Sequence, residues 1–357
     1  MAPPTFVRST IRAMEGYTPG EQPGAGERVV KLNTNENPFP PSPKVMQAIR
    51  DIEAEMLRRY PNPTAEPFRV AAADVLEVSP EMIIAGNGSD DILSVAVLTF
   101  CGPGDTLAYP DPTYSLYPVL AELDEVKTVT VPWEKDWGLP TDALIATKAR
   151  AIFLANPNAP SGTFVSPQKI AELADNFSGL VLIDEAYVDF AEDNCLPLIR
   201  KHENIVVTRT LSKAYSLAGL RFGFAIAQAS VIKEMNKARD SYPCDAISVA
   251  AATAAIGDQD YARKTWEHVR SERQRVSSEL TQMGWTVLPS QANFILAQTP
   301  SGRGREAYLG LKQQGILVRF FNKPGLDDKI RITIGTSQEN NALLGGIKAL
   351  TAAEKAA

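Results

Sequence analysis

Short apolar runs recur between residues 82 and 227, and most are followed by turns built from glycine, proline, asparagine or aspartate. Met82 to Ala85, Thr106 to Tyr109, Ala151 to Leu154, Leu180 to Ile183, Asn204 to Thr208 and Gly223 to Ala227 are too short for helices, which predicts strands. Leu180 to Ile183 (LVLI) is apolar without alternation, the mark of a strand buried on both faces of a parallel sheet. Helical spacing marks Lys44 to Arg58 through Val45, Ala48, Ile49, Ile52 and Met56, ending before Tyr60-Pro61-Asn62-Pro63. A second helix follows Gly86-Asn87-Gly88-Ser89 and runs to about Phe100.

Beyond Pro243 the pattern changes. A long amphipathic helix is predicted from about Tyr261 to Met283, with Trp266, Val269, Val276, Leu280 and Met283 on its apolar face. Strands at Thr286 to Leu288, Asn293 to Leu296, Ile316 to Arg319 and Lys329 to Ile334, with a helix near Arg305 to Gln314, complete a second layer. The alanine-rich stretches Ala250 to Ala255 and Ala352 to Ala357 read as plain helix. Residues before about Lys31 are rich in proline and glycine and read as an irregular arm. The expected fold is α/β: a large domain with a mostly parallel sheet over 44–245, a smaller α/β domain over 246–357, and an arm over 1–43 joining the small domain.

Composition narrows the function. At 357 residues the chain is long enough for two domains. A formal charge of −6 argues against a nucleic-acid surface. Cys101, Cys195 and Cys244 show no metal-ligand spacing and suit a reducing cytosol. The start MAPPTFVRST has no signal-peptide core, and the longest apolar run, near Ile92 to Cys101, is about half a membrane span. A cytoplasmic protein with no metal centre and no membrane partner is expected. With only His202 and His268, neither a zinc site nor a serine-histidine triad has the residues it needs.

The chemistry gathers in Arg209 to Gly223, RTLSKAYSLAGLRFG, which places Lys213 in a turn between two predicted strands. A loop lysine by itself is ordinarily a solvated charge. Here Thr210 and Ser212 bracket it and Arg221 follows at a spacing of eight. Such a set can hold a phosphate dianion while the amine forms a Schiff base with an aldehyde on the same molecule, and pyridoxal phosphate carries both groups. A second anion cradle is predicted at Gly88-Ser89-Asp90, where a glycine turn opens a helix; the backbone N–H groups of Ser89 and Asp90 and the Ser89 hydroxyl would be its donors. The dinucleotide-binding fingerprint fails there, because Asp91 stands where a third glycine is required. Asp184 sits at the carboxyl end of its strand, where ligands of open α/β sheets bind. From there a carboxylate can keep a cofactor's pyridine nitrogen protonated.

These stretches, with LNTNENPFPPSP, ANPNAPSG, DEAY and RITIG, resemble the fold-type I pyridoxal-phosphate aminotransferases over almost the whole chain, in the branch containing histidinol-phosphate aminotransferase. The resemblance implies an aminotransferase in which Lys213 binds the cofactor and moves the proton. It implies that Asp184 meets the ring nitrogen, Tyr187 hydrogen-bonds the phenolic oxygen, and Tyr114 stacks on the ring. Tyr60 would reach the cofactor phosphate of a neighbouring subunit, which makes a homodimer with shared sites the expected assembly. Tyr17, Asn37, Arg319 and Arg331 are the candidates for substrate contact, and the substrates implied are L-histidinol phosphate and 2-oxoglutarate. An aromatic aminotransferase and a phosphothreonine decarboxylase share the scaffold and stay open as alternatives. A non-catalytic cofactor-binding module is disfavoured by the joint presence of Asp184, Lys213 and Arg221. Two departures stand out. Ala159 replaces the loop asparagine that the family directs at the phenolic oxygen, leaving Asn158 as its substitute, and Pro243-Cys244-Asp245 replaces an asparagine-containing loop.

Overall fold

The computed structural model describes residues 4–24 and 26–356, with side chains through Thr351; the first three residues of MAPPTFVRST, Ala25 and the terminal Ala357 lie outside the described residues. Seven strands form the large sheet, in the order Ile83–Gly86, Gly223–Ile226, Ile205–Thr210, Leu180–Asp184, Ala151–Ala155, Thr106–Asp111 and Lys127–Pro132. Gly223–Ile226 runs antiparallel to both neighbours, and the other adjacent pairs are parallel. The fold is therefore α/β with a mostly parallel mixed sheet, as the apolar runs imply.

The unbroken apolar strands have a direct explanation. Val181 and Ile183 enter one core with Ile152, Leu154, Ile205 and Val207, while Leu180 and Leu182 enter the opposite one with Phe153 and Val206. With helices on both faces, every residue of such a strand is buried. Lys127–Pro132 was not foreseen for the same reason in reverse: it is the edge strand, buries only Val131, and carries no apolar run.

Three predicted elements are redrawn. The helix expected over Lys44 to Arg58 is two helices, Pro43–Arg50 and Ala54–Leu57. The first is capped by Ser42, whose hydroxyl accepts from Lys44 N at 3.1 Å. The apolar stripe then loses its core, since Val45 is buried while Met56 is 45% exposed. The stretch Ile316 to Arg319 divides: Ile316–Leu317 pairs in parallel with Val30–Lys31 of the arm, and Arg319–Phe320 joins the small sheet. The arm also contains a short helix, Ser9–Ala13.

The small sheet is antiparallel, in the order Arg319–Phe320, Lys329–Thr333, Phe294–Gln298 and Thr286–Val287. It packs against the helices Gln259–Gln282 and Ser337–Ala356 through Val269, Val276, Leu280, Ile295, Ile330, Ile332 and Leu343. Ala246–Ile256, expected with this C-terminal layer, instead places Val249, Ala251, Ala252, Ala255 and Ile256 in a core of the large sheet. The long helix bridges the two layers. Arg270 Nη2 donates to Asp189 O at 2.8 Å and Ala191 O at 2.9 Å, and Arg273 Nη1 to Ala292 O at 2.7 Å. No described helix is long and apolar enough to cross a membrane.

Candidate active site

The glycine turn before Ser89, the ANPNAPSG loop, DEAY and the turn bearing Lys213 leave the same edge of the large sheet, while LNTNENPFPPSP lies in the arm and RITIG begins in a strand of the small sheet. The carboxyl ends of the strands ending at Gly86, Asp111, Ala155, Asp184 and Thr210 lie there, beside the start of the reversed strand at Gly223. That edge is the usual ligand side of an open α/β sheet.

Lys213 leaves this edge three residues after Thr210. Its Nζ donates to Thr34 O of the arm at 3.0 Å and stands 6.0 Å from the centre of the Tyr187 ring. Burial, reinforced by the charge of Arg331, pushes its pKa down to about 8. The amine is thereby readied as a nucleophile and a base. Asn37 holds the adjoining turn: its Nδ2 donates to Ala214 O at 3.1 Å and Thr265 Oγ1 at 3.4 Å, and its Oδ1 accepts from Phe39 N at 3.0 Å. The structure thus engages the Asn37 amide with protein at both ends.

Asp184 is 4% exposed. Its carboxylate accepts from Tyr117 Oη at 3.0 Å, Ala186 N at 3.2 Å and Thr208 Oγ1 at 3.4 Å. Burial still raises its pKa to about 6 against these hydrogen bonds. Among the described residues no lysine or arginine forms a salt bridge with it. A buried carboxylate without a cation is a site suited to a cationic ring nitrogen.

The anion end is assembled from two segments. The helix Ser89–Phe100 begins after Gly88, at φ 93°, and has no side-chain cap. Arg221 lies beside this helix start, its Nη2 2.9 Å from where a Cβ at Gly88 would stand. Arg221, itself left-handed at φ 53°, donates from Nη1 to Ser212 Oγ at 3.3 Å and pairs with Asp90 Oδ2 at 3.4 Å. Thr210 plays a supporting part: its hydroxyl accepts from Ser212 N at 3.1 Å and donates to Phe222 O at 3.4 Å. An uncapped helix start opposite an arginine and a serine hydroxyl fits a phosphate ester. Gly223 is what lets the two segments meet, because a Cβ there would fall 2.3 Å from Ser89 N and 2.5 Å from Gly88 C. Backbone cannot yield as a flexible side chain does. Gly223→Ala is expected to cost about 1–3 kcal/mol, the usual range for overpacking, read as a lower denaturant midpoint with an unchanged slope.

Tyr114 donates to Asp90 Oδ1 at 3.1 Å and meets Tyr17 edge-on at 6.1 Å and Tyr117 at 5.7 Å. The structure therefore gathers Tyr17, Tyr114, Asp184, Tyr187, Lys213, Ser212, Arg221 and the Gly88-Ser89-Asp90 turn. Arg331 comes from the small sheet; its Nη2 donates to Asn33 O at 3.0 Å, its guanidinium lies 5.1 Å from the Phe294 ring centre, and its buried Nε has no hydrogen-bond partner among the described residues. Arg319 lies farther out, with Nη1 3.5 Å from Pro19 O and its guanidinium over Phe321 at 5.5 Å.

Two predicted residues are placed elsewhere. Tyr60 is 81% exposed and stacks on Tyr242 at 4.5 Å, outside the cleft of its own chain. Asn158 is buried with its amide fully engaged: Nδ2 donates to Pro112 O at 3.2 Å and Ser161 Oγ at 2.9 Å, and Oδ1 accepts from Thr113 Oγ1 at 2.8 Å. It shapes its own loop and does not turn toward Tyr187.

Residues that sequence reasoning missed surround the same groups. Tyr117 is fully buried and donates to Asp184, and Thr208 sits beneath that carboxylate. Asn35 donates from Nδ2 to Tyr187 Oη at 3.0 Å. The spacing Asn33, Asn35, Asn37 was the only signal in the chain for the last of these.

The family model for aminotransferase class I and II matches residues 27–347. Histidinol-phosphate aminotransferase 1 of a Nostoc species is 46% identical over 345 residues, covering 97% of this chain and 98% of that protein. Histidinol-phosphate aminotransferase of Rhodopirellula baltica is 45% identical over 94% of this chain and 93% of its own length. Among solved structures, the histidinol-phosphate aminotransferase of Sinorhizobium meliloti in complex with pyridoxal-5'-phosphate superposes with a TM-score of 0.88 at 27% identity, covering 98% and 99% of the two chains. A lysine between two strands, a buried aspartate without a cation and an uncapped helix facing an arginine are thus found in a chain that matches along nearly its whole length, and this chain belongs to the aminotransferase class I and II family.

Proposed function

We propose that the chain transfers the amino group of L-histidinol phosphate to 2-oxoglutarate, a step of histidine biosynthesis, with pyridoxal phosphate bound at Lys213. The observation that carries this reading is the convergence of Lys213, Asp184 and Arg221 on one sheet edge, in a chain 46% identical over 345 residues to a relative with that name.

When bound, pyridoxal phosphate supplies an electron sink for the charge left on the substrate's α-carbon as its proton departs. The chain's own residues do the rest. Arg221, the Ser212 and Ser89 hydroxyls and the first N–H groups of the helix from Ser89 hold the phosphate ester. Asp184, kept in place by Tyr117 and Thr208, balances positive charge at the ring nitrogen. The Lys213 amine, poised near pH 8, takes the proton from the substrate's α-carbon and delivers it two atoms along, to the cofactor carbon on the far side of the amino nitrogen. Tyr114 lines the ring and Tyr17 closes the cleft from the arm. Arg331, with Arg319 beside it, grips the acidic end of each substrate in turn, since a guanidinium matches both phosphate and carboxylate.

Arg331→Gln is expected to lower kcat/KM for both donor and acceptor by at least about 30-fold, the effect of removing one partner from a buried charge contact. The measurement is steady-state kinetics with each substrate varied. The donor itself is tested with a panel of L-histidinol phosphate, phenylalanine, tyrosine and phosphothreonine, following 2-oxoglutarate consumption and carbon dioxide release. A preference for an aromatic amino acid would reassign the donor, and carbon dioxide release without amino transfer would make the protein a decarboxylase.

The assembly we infer is a homodimer with shared sites. Tyr60, Tyr242, Met56 and Leu57 are exposed at 81%, 44%, 45% and 58%. An aromatic and aliphatic cluster so exposed suits a protein contact. A cytoplasmic setting accords with three free cysteines, all buried.

A further inference from the structure

Asn35 lies in the arm at φ 59°, a region that asparagine enters more readily than most side chains. It is 1% exposed and held on every side. Its N–H donates to Thr333 Oγ1 at 3.0 Å, the Thr333 hydroxyl donates back to Asn35 Oδ1 at 3.0 Å, and Asn293 Nδ2 donates to Asn35 O at 2.9 Å. This arrangement fixes which way the amide faces. Turned over, it would leave the buried Thr333 proton without an acceptor, so Nδ2 faces Tyr187 Oη, at 3.0 Å.

A phenol oxygen that accepts from an amide still has its own proton to donate. Tyr187 thus keeps its O–H free for a partner in the cleft. On the loop side, Ala159 packs with Ala292 and Phe294 against the Tyr187 ring and offers no polar atom, while the Asn158 amide is engaged within its own loop. We propose that Asn35 is the positioning residue for Tyr187: the arm supplies the amide that the loop lacks at Ala159, and it aims the phenol proton at the cofactor's ring oxygen. This rests on the pyridoxal-phosphate reading above.

Burial raises the Tyr187 pKa, with Arg331 and then the Asn35 hydrogen bond opposing it. The other groups facing this phenol are Asp184, Tyr17 and Lys213. A stronger phenol donor stabilises the deprotonated form of a cofactor oxygen, so weakening it raises the pH at which the lysine-bound cofactor's visible band titrates.

The test is a pH titration of that band, without substrate, on the protein reconstituted with pyridoxal phosphate. Asn35→Ala is expected to move the midpoint up by about half to one pH unit, the equivalent of one hydrogen bond. Asn35→Asp should move it further, because a carboxylate there takes the phenol proton for itself. Thr333→Val, which frees the amide while keeping Asn35, should give a smaller shift of the same sign and supplies the readout where the asparagine changes impair folding. In the Tyr187→Phe background, Asn35→Ala should add nothing. An unchanged midpoint in all three variants, even with a lowered melting temperature, would make Asn35 purely structural and overturn the proposal. So would an equal shift with and without the Tyr187 hydroxyl. Absence of the band in the wild-type protein would instead remove the cofactor reading on which the proposal stands.

Discussion

Lys213→Ala is expected to lower the transamination rate by at least about 10⁴-fold, because one change removes both the amine that bonds the cofactor and the base that moves the proton. The geometry explains why no neighbour replaces it. The guanidinium groups of Arg331 and Arg221 supply charge and hydrogen-bond donors but no nucleophilic amine. The amine itself is held by Thr34 O at 3.0 Å and has its pKa pushed down to about 8. Lys213→Arg is expected to fail equally, since it restores charge without a nucleophile. Cofactor affinity should survive in part in both variants, because Ser212, Arg221 and the helix from Ser89 are untouched. Single-turnover absorbance with equilibrium binding of pyridoxal phosphate checks the two effects separately.

Asp184→Asn is expected to lower kcat by about 10²–10⁴-fold, in the range found when a preorganised electrostatic partner of a transition state is removed. Asparagine keeps the volume and can accept from Tyr117, but it carries no charge to balance a ring nitrogen. Stability should move the other way. Burial raises the folded Asp184 pKa to about 6 from an ordinary value of 3.8, so its favourable contribution is present at acid pH and is lost as pH rises through that window. At neutral pH and without cofactor, the buried charge is a cost. Asp184→Asn should therefore melt no lower than the wild-type protein, while losing activity, a trade between function and stability met at many sites.

The fold was legible where one physical requirement dominated. Leu180 to Ile183 announced a strand buried on both faces because nothing else accommodates four consecutive apolar residues between turns. The helix from Ser89 to Phe100 was marked at its start by the glycine turn and along its length by apolar residues. Elements stabilised by pairing alone were hidden. Lys127–Pro132 is an edge strand of mostly exposed residues, and Val30–Lys31 is a strand only because Ile316–Leu317 lies beside it.

The site divided along the same line. Lys213, Asp184 and Arg221 carry chemistry that their neighbours in sequence disclose. Asn35, Tyr117 and Thr208 act on residues 152, 67 and 24 positions away in the chain, and no local pattern encodes such a contact. Asn37 and Asn35 show the limit well. Both belong to one short motif, yet the backbone turn at Asn35, with φ 59°, sends that amide to Tyr187 while Asn37 binds the turn after Lys213.

The most direct test of the central claim is an absorbance cycle on the purified protein reconstituted with pyridoxal phosphate. Adding L-histidinol phosphate should bleach the visible band to that of the aminated cofactor, and adding 2-oxoglutarate should restore it, with Lys213→Ala failing to cycle. A wild-type band that forms but ignores L-histidinol phosphate would contradict the assigned donor, and a protein that forms no band at all would contradict the active-site assignment from Lys213 outward.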